Sequence, residues 1–236
     1  MYPYAEFLID FERKHRGMTH RNRPENTRAA VIVETRADFF LPKVIRNVMY
    51  FLGPGWNLRV LCGPQAHGYL GAALGGWEVT VTNLPELGRR LPTDHYNRIL
   101  TSPAFWNHMP EEKVLIFQTD SLLCGPSVGQ FLHYDYIGAP CGRFDEQYVA
   151  NGGLSLRTRR VMLACLARVP AAPGEPEDVY FSRAVRQIGG AMADFETACR
   201  FSVESLYTAH PFGVHGTDKY FHDLASAEKI TGAIPY

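Results

Sequence analysis

A run of apolar residues in the middle of the chain ends in a polar cluster that could do chemistry. Residues 114–117 are apolar throughout, which is the pattern of a parallel strand buried on both faces. Gln118, Thr119 and Asp120 follow this run directly. Ligands of open α/β sheets bind at the carboxyl ends of the strands. Asp120 is therefore a candidate to hold a divalent cation or a sugar nucleotide, although aspartate after a strand is also a common turn former.

A pair of glycines in the second half can bring the backbone close to a ligand. Asn151, Gly152 and Gly153 precede an alternating Leu-Ser-Leu segment that is typical of a strand. Glycine lacks the side chain that would keep a ligand away from the backbone. The same residues also fit a plain tight turn, so the sequence leaves both interpretations open.

Acidic and imidazole groups further along the chain are candidates for proton transfer and metal binding. Glu177 and Asp178 begin a predicted helix. Carboxylates in the first turn are favourable with the helix dipole, and one of the two could instead act as a general base. His215 lies in a predicted loop, with His210 as its substitute. A loop histidine is usually a surface residue, but imidazole is also the commonest transition-metal ligand.

The elements that must position these groups alternate between strands and helices. Strands are predicted over residues 29–34, 58–62, 77–82, 114–117 and 135–139, and helices over residues 39–51, 96–109 and 177–188. This order is typical of parallel sheets with helical crossovers. We therefore predict a single α/β domain with a mainly parallel, doubly wound sheet, in which residues 114–117 form a central strand.

Phosphate groups would need an unusual partner in such a sheet. The first strand is not followed by GxGxxG, and GxxxxGK[ST] is absent from the sequence. A divalent cation is the obvious substitute for these phosphate-binding turns. Arg36, which comes just after the first strand, is placed to meet a nucleotide or its phosphates, with an ordinary surface arginine as the alternative.

Composition argues against several classes of protein. The 236 residues are 46% hydrophobic and 20% charged, which is neither a disordered nor a membrane composition. The 24 basic and 24 acidic residues cancel, so nucleic acid is not expected as the main ligand. The sequence has no apolar run of transmembrane length and no signal-peptide pattern. Five scattered cysteines without CxxC spacing indicate reduced thiols and predict a cytoplasmic location.

The first 28 residues differ from the rest. Apolar residues recur at helical spacing between Tyr4 and Phe11, and a basic stretch follows over residues 13–23. This pattern favours an amphipathic helix packed on the domain and a solvated basic loop, with a membrane-surface or polyanion-binding arm as the alternative. We therefore predict an N-terminal helix and basic loop over residues 1–28, packed on or extending from a domain over residues 29–236.

In the order of these segments the chain resembles the metal-dependent GT-A glycosyltransferases. The resemblance extends over most of residues 29–216 and is carried by the blocks Tyr96-Asn97, Phe105-Trp106, Gln118-Thr-Asp120-Ser, Asp135-Tyr-Ile-Gly138, Asn151-Gly-Gly-Leu-Ser-Leu-Arg157 and Glu177-Asp178. It is closest to a family of bacterial, fungal and viral glycosyltransferase-like proteins, and the chain is similar more distantly to the inverting β-1,3-glycosyltransferases. The usual Asp-x-Asp is Gln118-Thr119-Asp120 here, so one carboxylate is missing.

The resemblance implies a reaction and a role for each site residue. It implies transfer of a sugar from a nucleotide-sugar donor, by preference a UDP-sugar, to a hydroxyl of an acceptor glycan or other molecule, with inversion. Asp178 would be the catalytic base, with Glu177 as the runner-up. Asp120 and His215 would bind a divalent metal, Mn²⁺ in preference to Mg²⁺ because one ligand is an imidazole. The implied donor-binding residues are Arg36, Tyr96, Asn97, Gln118, Thr119, Asp120, Asn151, Gly152 and Gly153.

Two other functions remain open from the sequence. A glycosidase would need two carboxylates facing each other across one bond, and no pair in this sequence is singled out for that geometry. A non-catalytic GT-A-like module that binds a nucleotide sugar or a glycan is supported by the missing carboxylate. The retained Asp120, Glu177, Asp178 and His215 oppose the binding module.

Overall fold

Strands and helices alternate through the first half of the chain, as the sequence predicts. The structure is a computed structural model that describes residues 3–88, 90–141, 147–217, 219 and 224–235. Its strands are β1 (Arg28–Glu34), β2 (Asn57–Cys62), β3 (Thr80–Asn83), β4 (Lys113–Phe117), β5 (Ser121–Leu123), β6 (Tyr136–Cys141), β7 (Val149–Thr158), β8 (Ser202–Val203) and β9 (Gly213–His215). Its α-helices are α1 (Pro3–His15), α2 (Leu41–Leu52), α3 (Pro64–Ala73), α4 (Thr93–Leu100), α5 (Pro103–Asn107), α6 (Arg159–Arg168), α7 (Glu177–Gln187), α8 (Phe195–Phe201) and α9 (Leu224–Gly232).

The central sheet has the strand order β3-β2-β1-β4-β7-β6. β1 lies parallel to β2 and β4, and β2 lies parallel to β3. β7 runs antiparallel to both β4 and β6, so it is the reversed strand of this sheet. This arrangement confirms the predicted α/β class with a mainly parallel central sheet, and it places residues 114–117 in an interior strand.

Both faces of the sheet are covered, which explains the unbroken apolar runs of its central strands. Successive side chains of a strand point to opposite faces, so β1 and β4 supply two separate cores. One core buries Ala30, Ile32, Leu115 and Phe117, and the other buries Ala29, Val31, Val114 and Ile116. The polar residues that follow each strand are therefore carried to one edge of a rigid layer.

Two predicted boundaries are wrong for local reasons. The helix predicted over residues 96–109 is divided into α4 and α5, because Pro103 lacks the N–H that would continue the first helix. Ser102 caps the second helix, and its Oγ accepts a hydrogen bond from the Ala104 N–H at 3.3 Å. The strand predicted over residues 77–82 begins only at Thr80.

The N-terminal segment packs on the sheet and its helices. α1 buries its apolar face in the same core as α2. The loop after α1 is held along β2 and β3, because Arg21 pairs with Glu78 at 2.6 Å and the Asn22 carboxamide bonds both backbone groups of Leu58. The described part of the basic loop is thus attached to the domain surface. Among the described residues, the structure has no helix with the length and apolarity needed to span a membrane.

A second, smaller sheet brings the C-terminal part of the chain to the edge of the central sheet. Its strand order is β5-β9-β8. β5 follows β4 directly and pairs antiparallel with β9, so that Ser121 lies opposite His215. This pairing carries a residue distant in sequence to the polar end of β4.

Candidate functional site

A cleft of about 560 Å³ opens at the carboxyl ends of β1 and β4. The last residue of β1 and the segments that follow the two strands contribute to its lining Glu34, Arg36, Gln118, Thr119 and Asp120. Its other walls include Tyr4 and Leu8 of α1, Tyr96 of α4, and Lys219. The structure therefore gathers five of the predicted donor-binding residues, namely Arg36, Tyr96, Gln118, Thr119 and Asp120, around one space.

Asp120 and His215 meet beneath this cleft. The His215 Nε2 atom lies 3.4 Å from Asp120 Oδ1 and 3.2 Å from Gln118 Oε1. His215 is 4% exposed and lies in β9, which pairs with β5. Two polar side chains that are far apart in sequence thus lie in contact at the end of β4.

The charges around Asp120 keep it ionised. Burial opposes ionisation, but His215 and Lys219 outweigh it and hold the pKa of the Asp120 carboxyl well below its usual range. Burial also opposes a charge on His215, yet Asp120 and Glu204 together raise the pKa of this imidazole to about 9. At neutral pH the pair is therefore an ion pair in the absence of other ligands.

Arg36 is held rigidly at the rim of the cleft. Its guanidinium makes a bidentate contact with Glu34, with Nε at 3.0 Å from Oε1 and Nη2 at 2.7 Å from Oε2. Nη2 also donates to Thr119 Oγ1 at 3.1 Å, which ties the end of β1 to the end of β4. Because the Arg36 side chain is still 57% exposed, it presents a fixed positive charge to the cleft.

Lys219 is a cleft residue that the sequence analysis missed. Gly216 adopts φ +70°, a conformation that favours glycine, and the chain turns back over Asp120. The Thr217 N–H donates to the Asp120 carbonyl at 3.3 Å, and Lys219 Nζ lies 3.1 Å from Asp120 Oδ2. The available signal was the glycine directly after His215, which marks a turn ahead of this lysine.

Tyr96 and Asn97 of α4 face different surroundings. Tyr96 lines the cleft and is 9% exposed, and burial raises the pKa of its hydroxyl. The hydroxyl lies near Gln118 but makes no hydrogen bond of ordinary geometry within the described part of the chain. Asn97 instead contacts the start of α7, where its Oδ1 accepts a long hydrogen bond of 3.5 Å from the Glu177 N–H. Asn97 thus contacts another helix, and its predicted contact with a donor stays a prediction.

The two glycines lie within β7, where their close neighbours are side chains of the protein itself. A Cβ atom on Gly152 would come within 1.8 Å of Glu177 Oε1, and one on Gly153 within 2.0 Å of His215 Nε2. The tight-turn interpretation is wrong, because both residues lie within β7, where its pairing with β6 is irregular. A side chain of Glu177 or His215 fills the space in front of each glycine, and the predicted donor contacts stay predictions.

Asn151 is likewise hydrogen-bonded to other residues of the protein. Its Nδ2 donates to Glu204 Oε1 at 3.0 Å, and its Oδ1 accepts from the Gly153 N–H at 2.7 Å. Asn151 thus contacts a buried carboxylate, and its predicted contact with a donor stays a prediction.

Glu177 cannot serve as a free base in this arrangement. Arg157 binds it bidentately, with distances of 2.6 Å and 3.0 Å, and the two side chains are 0% and 4% exposed. Burial opposes the charge of Arg157, but Glu177 outweighs it and raises the pKa of the guanidinium. Because both carboxylate oxygens are engaged, the structure corrects the runner-up base to a buried structural ion pair.

Asp178 remains half-buried at the first turn of α7, and its Oδ1 accepts a hydrogen bond from the Val179 N–H at 2.8 Å. Burial, followed by the charges of Asp178 and Glu204, raises the pKa of Cys141 to about 12, so both carboxylates lie near the end of β6. Asp178 does not line the cleft itself. His210, the substitute metal ligand, is exposed and adopts a left-handed conformation with φ 53°.

Asp120 and His215 fit a divalent cation, although they supply few ligands. Two atoms that each lie about 2.1 Å from one cation can be no more than about 4.2 Å apart, and the observed 3.4 Å satisfies this limit. A carboxylate oxygen and an imidazole nitrogen are ligands that suit manganese. Within the described ranges, no cluster of three or more His, Cys, Asp or Glu residues could hold a metal. Remaining ligands would have to come from a substrate and water.

Comparisons with known proteins agree with this fold. A family model described as "Protein of unknown function (DUF5672)" matches residues 83–215. No curated protein matches the sequence. The chain is similar to the mannosyltransferase PcManGT from Pyrobaculum calidifontis, solved in complex with GDP-Man and Mn²⁺, with a TM-score of 0.51 and 14% identity. This match covers 80% of the chain, which spans 62% of the length of the mannosyltransferase. The likeness indicates a GT-A-like fold.

Two further solved structures show weaker similarity. One is the galactosyltransferase LgtC in complex with donor and acceptor sugar analogues, with a TM-score of 0.47 and 11% identity over 88% of this chain and 96% of that one. The other is the apo form of the glycosyltransferase GlyE from Streptococcus pneumoniae TIGR4, with a TM-score of 0.49 and 11% identity over 80% and 54%.

Proposed function

We propose that this chain, which belongs to the family described as protein of unknown function (DUF5672), is a glycosyltransferase that uses a nucleotide-sugar donor. The sugar would pass to a hydroxyl of an acceptor, such as a glycan. The observation that carries the proposal is the convergence of Asp120, His215, Arg36 and Lys219 at the carboxyl ends of the central strands. A donor diphosphate needs this combination of metal ligands and fixed cations.

Positive side chains of the cleft support binding of the diphosphate. Arg36 is fixed by Glu34 and Thr119, so little conformational freedom is lost when it contacts a phosphate. Lys219 Nζ lies 3.1 Å from Asp120, on the exposed side of that carboxylate. We propose that these two residues, with Tyr96, Gln118, Thr119 and Asp120, form the donor site. UDP remains our preferred nucleotide.

Asp120 and His215 would hold a divalent cation next to the donor phosphates, by preference Mn²⁺. When bound, such an ion supplies Lewis-acid stabilisation of the negative charge that develops on the leaving diphosphate. The fold shared with a mannosyltransferase that was solved with Mn²⁺ is compatible with this role. Gly153 makes room for the imidazole, and Gln118 contacts it from the cleft side.

Asp178 is the proposed base. Glu177 is already paired with Arg157, which favours its neighbour. Within the described part of the chain only Oδ1 of Asp178 accepts a hydrogen bond, and the residue lies at the N-terminal end of α7, where a carboxylate is favourable with the helix dipole. It would accept the proton of the acceptor hydroxyl while the sugar is transferred with inversion in a single displacement.

The extent of the domain and the compartment are further parts of the proposal. We assign the transferase domain to residues 29–236, with the segment over residues 1–28 packed on it, supported by the buried face of α1 and the attached loop. The five cysteines are all unpaired in the structure, which supports a reducing compartment such as the cytoplasm.

A binding module without transfer activity is the second candidate. One observation favours it: both oxygens of Asp120 already face cationic side chains of the protein, His215 at 3.4 Å and Lys219 at 3.1 Å. A donor could then be bound through these cations without a metal. We rank this function second because it leaves Asp178 without a role.

Thermal stabilisation by a panel of sugar nucleotides, with Mn²⁺ and with a chelator, tests the proposal. We expect one donor to raise the melting temperature with Mn²⁺, and we expect Asp120→Ala to abolish the manganese-linked part. Asp94→Ala, an exposed carboxylate on α4, is the control and should behave as the wild type. Equal stabilisation in chelator would contradict the metal part of the proposal. Donor binding without transfer or donor hydrolysis would favour the binding module.

A further inference from the structure

A buried carboxylate lies behind His215, on the side of the ring that faces away from the cleft. Glu204 is 6% exposed and directly follows β8. β8 runs parallel to β9, and Val203 lies opposite Val214. The residues that come next, Glu204 after β8 and His215 in β9, are therefore also neighbours. The strand register therefore brings the carboxylate to the imidazole.

The His215 Nδ1 atom needs a partner, and Glu204 provides the nearest acceptor. Nδ1 lies 3.4 Å from Glu204 Oε1 and makes no hydrogen bond of ordinary geometry within the described residues. The same oxygen accepts a hydrogen bond of 3.0 Å from Asn151 Nδ2. Asn151 is fixed in turn by the Gly153 N–H at 2.7 Å. The carboxylate is thus anchored to β7 while it faces the ring.

We propose that Glu204 is a positioning residue of the metal and donor site, holding His215 so that Nδ1–H points inward and Nε2 faces Asp120. This inference rests on the proposed function. Imidazoles that bind metals commonly donate their other N–H to a carboxylate, which fixes the tautomer and makes the ligand nitrogen more basic. Asn151 contributes indirectly, because its hydrogen bond holds the Glu204 carboxylate in place.

This arrangement also explains why a buried acid is tolerated at residue 204. A buried carboxylate is costly unless it is paired or hydrogen-bonded, and here the partners are an imidazole and an amide. A glutamine at this position would keep an oxygen for Nδ1–H and Asn151 but would lose the negative charge. An alanine would lose both, and the ring would be free to turn or to carry its proton on Nε2.

Binding of Mn²⁺ alone, followed by the EPR signal of the free ion, tests the proposal without reference to transfer. We expect Glu204→Ala to weaken binding about 10–100-fold, the usual loss when such a partner is removed. Glu204→Gln should recover part of this loss because it keeps the acceptor. Glu196→Gln, an exposed acid in the first turn of α8, is the matched control and should bind as the wild type does. Wild-type affinity in Glu204→Ala would overturn the proposal, and so would the absence of Mn²⁺ binding to the wild type.

The tautomer of His215 gives a second readout that a merely structural role would not move. In ¹⁵N NMR spectra of the protein loaded with diamagnetic Mg²⁺, His215 should carry its proton on Nδ1, and Glu204→Gln should retain this signature. A wild-type proton on Nε2 would overturn the proposal even if Glu204→Ala failed to fold. If the Mn²⁺ affinities follow the expected order but no sugar nucleotide stabilises the protein, the positioning role stands and the proposed function fails.

Discussion

Two carboxylate networks lie against neighbouring residues of β7, and they differ in how completely they are closed. At Gly152, Glu177 and Arg157 form a bidentate pair that is almost fully buried. Arg157 also lies over the rings of Tyr136 and Phe181, with centroid distances of 4.8 Å and 5.4 Å. Every strong donor and acceptor of this pair is used inside the protein.

At Gly153, the second network contains one cationic ring between two carboxylates. His215 faces Glu204 on one side and Asp120 on the other, at 3.4 Å each. Asp120 extends to the cleft, where Lys219 meets it. The closed network can hold the sheet and α7 together, but only the open network can exchange an internal partner for a ligand. The glycine pair therefore borders a buried ion pair at one residue and the proposed metal site at the next.

The largest expected effect comes from breaking the closed network. Arg157→Met should lower the free energy of unfolding by about 3–5 kcal/mol, because it leaves Glu177 buried without a partner. Chemical denaturation measures this loss. Arg160→Met, which breaks an exposed pair with Glu112, should cost no more than about 1 kcal/mol. Equal losses in both variants would contradict the structural role of Arg157.

The second prediction separates Asp178 from the neighbouring network. Asp178→Asn should reduce the rate of sugar transfer by about a hundredfold or more and leave donor affinity nearly unchanged, because it removes only the basic oxygen. Initial rates and thermal shifts with donor measure the two quantities. Full transfer activity in this variant would show that the base is another residue.

Alanine at the two glycines sharpens the comparison. Gly152→Ala and Gly153→Ala should each cost about 1–3 kcal/mol of stability, because the added methyl group overlaps Glu177 or His215. Only Gly153→Ala should also remove the manganese-linked stabilisation by donor. Gly68→Ala, on α3 with open space around it, is the control and should be neutral or slightly stabilising. Loss of manganese linkage in both variants would contradict the division between the networks.

The last prediction concerns how the stability of the open network depends on pH in the absence of metal. The pKa of His215 is raised from 6.5 to about 9, so its stabilising charge is fully present below pH 6.5 and is lost as the pH rises through about 9. The slope cannot exceed about 1.4 kcal/mol per pH unit for one proton. Denaturation from pH 6 to 10 in chelator, compared with His215→Gln, isolates this contribution. A wild-type slope equal to that of the variant would contradict it.

The comparison with a variant is needed because Lys113 titrates in the same pH range and changes the stability in the opposite direction. Burial lowers the pKa of Lys113 to about 8, so the cost of burying its charge is present below that pH and is relieved as the pH rises towards 10.5. This contribution is common to the wild type and His215→Gln and cancels in their difference.

The sequence predicts the frame of the site better than its contacts. Residues 114–117 are recognisable because a strand between two cores must be apolar on both faces, and the polar residues after it mark its end. The glycine pair shows that something approaches the backbone closely. It does not distinguish a ligand from the side chains of Glu177 and His215, which come from distant parts of the chain.

The role suggested here for Glu204 has no sequence signal at all. It depends on the pairing of the two-residue β8 with the three-residue β9, and strands this short have no periodicity to recognise. Asn97 and Asn151 illustrate the same limit, because an amide near a site can bind a ligand or a neighbouring element with equal ease. Local pattern therefore gives the sheet, while long-range pairing decides which polar groups meet.

The walls of the cleft are supplied by α1, by the end of β4 and by Lys219, which are distributed over nearly the whole sequence. During synthesis, β1 to β4 are complete long before β9 and Lys219 have been made. Contacts between such distant segments form late, since the loops between them must first be closed. A nascent chain could then carry the parallel strands of the sheet while the cleft still lacks the wall that Lys219 supplies. A ligand that binds in this cleft would consequently stabilise only chains that have finished folding.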